Sequence, residues 1–254
     1  MKTLTIASLC LASAASAAAV ATGVAASGAA PVTAAAPHHV THHAAPAAVD
    51  PGAFATSKPN PYFPLKPGTV VRYRGVDEGH RLTERLTITH DTKMIQGVKT
   101  RVVHDVLRRA DGSVAERTWD WYAADQDGNV WYFGENTATY DEHGNVDSRE
   151  GSWRAGRDGA RAGIIMPAHP RPTDAYRQEF LRGHAEDQAW VVQNDATVRV
   201  AGHRYTSVVR SFEWSRLEKG VVSVKYYAQG VGIVTEQDLA GGSEKFEAVS
   251  VTHP

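Results

Sequence analysis

The chain has 254 residues, with 27 basic and 28 acidic side chains and a formal net charge of −1. That balance gives no electrostatic reason to expect nucleic acid or an anionic membrane as partner, and acids and bases alternate along the chain rather than forming blocks. The sole cysteine is Cys10, so the remainder carries no disulfide, thiol nucleophile or thiolate metal site.

The first residues follow a secretory pattern. Lys2 supplies positive charge, Leu4 to Leu11 form an apolar stretch, and small-residue steps such as Ala15-Ser16-Ala17 suit cleavage. Residues 1–30 therefore read as a signal peptide, with the mature chain starting between Ala18 and Pro31. Small residues interrupt the apolar run too soon for a stable membrane span. Residues 31–59, rich in Ala, Pro, Val and Thr, bury too little apolar surface to offset ordering and are expected to be a disordered linker. His38, His39, His42 and His43 lie in it. They could capture zinc, copper or nickel, but without fixed geometry they read as a polar break. Residues 60–254 have globular composition and length for one β-rich domain.

That domain opens on Asn60-Pro61-Tyr62-Phe63-Pro64-Leu65-Lys66-Pro67-Gly68, whose prolines force an extended strap and whose apolar side chains give it something to bury. Strand-like runs follow: Thr69 to Arg74, Arg81 to His90, Val98 to Arg108, Val114 to Tyr122 and Asn129 to Phe133. Turns at Asp77-Glu78-Gly79, Gln96-Gly97, Ala110-Asp111-Gly112 and Asp127-Gly128 separate them, and Tyr140 to Trp153 reads as a further hairpin. Gly163 to Met166 is a short apolar run before a Pro-rich loop. Asp174 to Gln193 reads either as a helix or as two strands broken at Gly183, and strands are preferred. Thr197 to Val200, Tyr205 to Trp214, Val221 to Gln229, Gly232 to Gln237 and Phe246 to Thr252 alternate again. No amphipathic helices are present to carry parallel crossovers. The sequence thus predicts a mainly β fold, an antiparallel meander forming a strongly curved sheet, half-barrel or barrel.

Lys225-Tyr226-Tyr227-Ala228-Gln229-Gly230-Val231-Gly232-Ile233-Val234, together with the strap and Pro67-Gly68-Thr69, resembles the DUF3108/TapB-like group of exported bacterial proteins. The resemblance implies a curved antiparallel sheet in a secreted or periplasmic protein, and it implies no reaction. Read from the residues, Gly230 and Gly232 form a glycine bulge, since a lone G-x-G with no following helix makes a poor phosphate loop.

Three constellations could carry chemistry. Trp119, Trp121, Trp131, Phe133 and Trp153, with Tyr122 and Tyr132, could stack on sugars or line an apolar cavity, against the alternative that they pack the core. Asp125, Asp127 and Asn129 place oxygens at alternate positions as a Ca2+ loop does, yet Val130 and Asn136 stand where an EF-hand needs Gly and Glu. Glu135, Glu150, Asp174, Glu179, Glu186 and Asp187 could supply paired carboxylates for glycoside hydrolysis. No H-E-x-x-H or G-x-S-x-G frame occurs. The expectation is a secreted or envelope-located, non-catalytic β-domain binding an apolar or glycan ligand or an envelope component; the alternative is a secreted hydrolase using paired carboxylates.

Overall fold

Val71, Tyr73, Gly75 and Asp77 are buried while Arg72, Arg74 and Val76 are exposed, so β1 (Val70–Asp77) alternates at the period of a strand with one face inward. The same pattern recurs along the chain. The computed structural model describes residues 49–254, and the expected signal peptide, Cys10 and the linker histidines lie outside the described residues. After a 3-10 turn at Pro51–Phe54 and the strap, β1 leads to β2 (His80–Ile95), β3 (Val98–Arg109), β4 (Val114–Ala124) and β5 (Val130–Tyr140). Short pieces follow: β6 (Val146–Ser148), β7 (Trp153–Arg154), β8 (Arg161–Met166), β9 (Ala175–Arg177) and β10 (Glu179–Phe180). The chain ends with β11 (Asp187–Val200), β12 (His203–Ser215), β13 (Val222–Ala228), β14 (Gly232–Ala240) and β15 (Lys245–Thr252). No α-helix occurs among the described residues, and Asp174 to Gln193 is strand and turn.

Every pairing is antiparallel. The order runs β10-β8-β5-β4-β3-β2-β1-β15-β14-β13-β12-β11-β9, so first and last strands pair through β15. The two ends of this path approach each other. β9 pairs with β11, and β10, separated from β9 only by Gln178, pairs with β8. The Gln178 N–H donates to the Asp187 carbonyl at 2.9 Å. Segment 175–180 therefore bridges the seam and leaves a nearly closed, barrel-like sheet, which removes the exposed edges of an open meander. Gly163 permits this closure: a Cβ there would lie 2.5 Å from the Arg177 carbonyl oxygen.

β5 runs through Gly134 to Tyr140, beyond the end expected at Phe133. Gly134 has φ 127° and accepts the backbone of Trp153 and Arg154 against it, a close approach rather than a turn. Packing against the sheet also begins before residue 60. Phe54 packs edge-on against Trp131 and Phe133, with ring centroids 6.1 and 5.6 Å away. Gln126 N–H donates to the Ala53 carbonyl and Lys58 N–H to that of Asp125. One aromatic residue docks a segment whose Ala/Pro composition otherwise matches the spacer.

Candidate functional site

The strap is held at its start by polar contacts, and at its end the Gly68 N–H donates to the Ile88 carbonyl at 2.7 Å. Asn60 is buried; its Nδ2 donates to the carbonyls of Gly128 (2.8 Å) and Pro167 (3.0 Å), and its Oδ1 accepts the N–H groups of Tyr62 and Phe63. The Gly230 N–H donates to the Pro61 carbonyl, and Gln229 Nε2 to the Tyr62 hydroxyl. The strap and the Ala228-to-Gly232 turn, remote in sequence, thus clasp each other. Phe63 then packs on Tyr122 (5.0 Å), Tyr122 stacks on Tyr132 (4.7 Å), and Tyr132 meets Trp153 edge-on (5.2 Å). This aromatic column runs from the strap into the barrel.

Beside the strap lies an open groove of about 770 Å³. Phe54, Phe63, Leu65, Tyr122 and Ala123 give it an apolar floor, and Lys66, Lys99 and Arg101 stand along it with no carboxylate in the lining. A bulge in β2 between Ile88 and Thr92 turns carbonyls toward Arg101, whose Nη1 donates to His90 O at 2.9 Å. Under the strap a smaller apolar crevice of about 40 Å³ lies between Phe63, Leu65, Val71, Tyr73 and Ile233. Sequence reasoning missed the three cations because they come from the strap and from β3, with nothing local to join them.

The aromatic candidates separate. Trp121, Phe133 and Trp153 are 6 %, 0 % and 4 % exposed and offer a ligand no area; they are packing. Lys93 lies over the Trp121 ring, 3.3 Å from its centroid. Trp131 is half-buried under Phe54, with its indole N–H given to Asp125. Trp119 is half-buried on the outer, convex face, stacked on His104 at 4.9 Å. No concave aromatic face brings the five together.

The Ca2+ candidate Asp125, Asp127 and Asn129 forms a hairpin turn, as its Asp127-Gly128 step reads in the sequence. The Asp125 carboxylate accepts the N–H groups of Asp127, Gly128 and Asn129, the Asn129 amide and the Trp131 indole, all within 3.0 Å. Burial alone would raise its pKa, but these hydrogen bonds outweigh it and hold the group below its ordinary value. Asp125 is thus saturated by donors, which a cation cannot replace without undoing the turn. Asp141-Glu142-His143-Gly144-Asn145 repeats the design with the same Asp-to-Asn contacts. No cluster of three metal-ligating side chains occurs among the described residues.

Of the acidic candidates, Glu135, Glu179 and Asp187 converge inside the barrel, while Glu150 is exposed, Asp174 pairs with Arg171, and Glu186 faces Arg216. Glu84, Asp105, Glu116 and Asp120 join them, placed inward by the registers Leu86↔Asp105↔Thr118 and Leu107↔Glu116. Asp120 accepts the Tyr132 hydroxyl at 2.7 Å. Burial drives the Glu116 pKa up to about 8 against the lowering hydrogen bonds of Thr137 and Thr118. Burial first and neighbouring carboxylates second also push Glu84, Glu135 and Glu179 well above the usual range. On the far wall Lys225 sits between Glu213 (3.5 Å) and Glu236 (3.3 Å), and Glu213 also accepts Ser211, Tyr227 and Gln178. None of these carboxylates lines the strap groove or the crevice below it.

No family pattern and no curated protein matches the chain, so the DUF3108/TapB-like resemblance rests on the strap and the Gly-x-Gly turn alone. A protein from Bacteroides fragilis, inferred to be exported and with a YmcC-like fold, is similar in structure: TM-score 0.45 and 12 % identity over 75 % of this chain and 98 % of that one. An inferred lipoprotein from Parabacteroides distasonis gives TM-score 0.40 and 9 % identity over 77 % of this chain and 100 % of that one.

Proposed function

We infer that the chain is an exported, non-catalytic β-domain that holds an apolar ligand with an anionic head in the strap groove. Export rests on the N-terminal pattern, with residues 1–30 as signal and a single domain after the spacer. The observation that carries the ligand reading is the groove itself: an apolar floor with Lys66, Lys99 and Arg101 beside it and no opposing carboxylate. An acyl chain would lie on Phe54, Phe63 and Leu65, and its carboxylate or phosphate would meet the cations. Among the described residues no helix is long and apolar enough to cross a membrane. Outward arginines in mid-strand, such as Arg72 and Arg85, also oppose a lipid-facing barrel, where each would cost about 2–4 kcal/mol.

Calorimetric titration of the full chain with oleate, lysophosphatidate and the uncharged alcohol of the same chain length tests this reading. The two anions should bind, the alcohol weakly, and Lys66→Gln with Lys99→Gln should weaken the anions by about tenfold, the equivalent of 1.4 kcal/mol. Equal binding of all three, or none, overturns it. The hydrolase reading keeps one supporting observation, the convergence of Glu135, Glu179 and Asp187. Glycosidase activity lost in Glu135→Gln or Glu179→Gln would favour it instead.

A further inference from the structure

The near-zero net charge conceals a segregation. On β1 to β4 the acids at alternate positions turn inward and the bases between them turn outward: Glu84 points in and Arg85 out, Glu116 in and Arg117 out. The outer face therefore collects Arg72, Arg74, Arg81, Arg85, Arg108 and Arg117. Arg72 and Arg85 are direct cross-strand partners, and Arg117 continues the same row through Val106. Arg74 and Arg108 lie in the next row, joined by Thr83. Strands are ~4.8 Å apart and same-face residues ~6.8 Å apart along each strand, so the guanidinium groups form a lattice rather than one point of charge. Among the described residues none of the six forms an ion pair with a carboxylate. Glu247, opposite Arg74 on β15, is taken by Lys245 at 3.3 Å. Like charges set directly across a strand pair oppose folding, so the row of Arg72 and Arg85 has no structural gain of its own.

We propose that this outer face is a docking surface for a polyanionic glycan, a polysaccharide carrying a carboxylate or sulfate on each repeat. The cationic positions are arginine throughout, and the planar guanidinium fork matches carboxylate and sulfate geometry in a way an ammonium does not. A polymer with regular charge can engage several rows at once, where a single anion engages one. The face is the outside of a curved sheet, and the large apolar side chains exposed beside the arginines are two valines, Val76 at its rim and Val249 at the β15 bulge next to Arg72, too small a patch for insertion into a bilayer. Trp119 and His104, stacked on each other, stand beside Arg117 and fix one border of the surface. Burial, then Arg117, and with them Arg85, hold His104 below its ordinary pKa against the pull of Asp105, which keeps that border uncharged and leaves the positive charge to the arginines.

The test uses the full chain and immobilised polygalacturonate, dextran sulfate and uncharged dextran. Binding to both anionic polymers, none to dextran, and a steep loss with added salt are expected, because bound counterions are released as phosphate-like charges are neutralised. The triple variant Arg72→Gln, Arg85→Gln, Arg117→Gln should bind at least tenfold more weakly at unchanged or higher thermal stability. The rim pair Arg74→Gln, Arg81→Gln gives an independent reading should the triple variant fold poorly, with a loss of about threefold expected. Lys66→Gln with Lys99→Gln should leave polymer binding intact, so failure of the groove reading and failure of this one are separable. Equal affinity of wild type and both arginine variants overturns the proposal. So does tighter binding, at matched charge, to phosphatidylglycerol vesicles or duplex DNA.

Discussion

The inner and outer faces of β1 to β4 are built from the same strands, residue by residue, and differ in almost every physical property. Inside, Glu84, Asp105, Glu116 and Asp120 are buried with Thr118, Thr137 and Tyr132, and burial raises the pKa of Glu84 and Glu116 so that retained protons reduce the repulsion. Outside, Arg72, Arg74, Arg81, Arg85 and Arg108 are exposed to water, while Arg117 is half-buried against Trp119 and Tyr140. A period-two sequence with acid and base at successive positions looks neutral and mixed, yet folding sorts it into an acidic interior and a basic exterior. Net charge describes the chain; the strand period decides where each sign goes.

Breaking the inner face should cost most. Lys225→Met strands Glu213 and Glu236 without their cation and should destabilise by about 3–5 kcal/mol, the penalty for removing one partner of a buried pair. Trp153→Ala, deep in the aromatic column, should cost a similar 3–5 kcal/mol, whereas Trp119→Ala on the outer face should cost about 1 kcal/mol or less. Urea unfolding of the two tryptophan variants side by side measures the contrast directly.

The pH response comes next in size. The folded-state pKa of Glu116 is raised, from 4.5 to about 8, so the folded chain holds a proton that the unfolded chain releases. Its stability is fully present below about pH 4.5 and is lost as pH rises toward 8, a loss on the order of 3–4 kcal/mol for a fully desolvated group. Unfolding free energy should therefore be larger at pH 5 than at pH 8, and Glu116→Gln, which keeps the hydrogen-bonding shape without the ionisation, should flatten that slope. The smallest effect belongs to the outside: Arg85→Gln relieves the contact with Arg72 and should stabilise by about 0.2–1 kcal/mol at low salt.

Much of the sheet was legible because its strands carry the period of two and its turns carry glycine. The failures have specific causes. Gly134 looks like a strand end but serves a backbone approach from β7, which only the three-dimensional pairing supplies. Phe54 docks an Ala/Pro-rich segment that composition, averaged over many residues, assigns to the linker. The Asp125 loop has the oxygen spacing of a calcium site, but its Asp127-Gly128 step already read as a turn, and Asp141 to Asn145, sharing Asp-x-x-Gly-Asn, folds in the same way. Glu84 and Glu116 sat in plain view beside Arg85 and Arg117, but a one-sided reading treats such pairs as solvated surface. Near-closure of the barrel, made by residues 175–180, is what turns the acidic side into an interior.

The claim that the strands sort charge by face is tested most directly by carbon-detected NMR titration of the glutamate side-chain carboxyls in the folded protein. Glu116 should remain protonated at neutral pH and titrate with a midpoint of about 8. A midpoint in the ordinary carboxylate range, near 4.5, would contradict the buried acidic interior and with it the sorting of charge between the two faces.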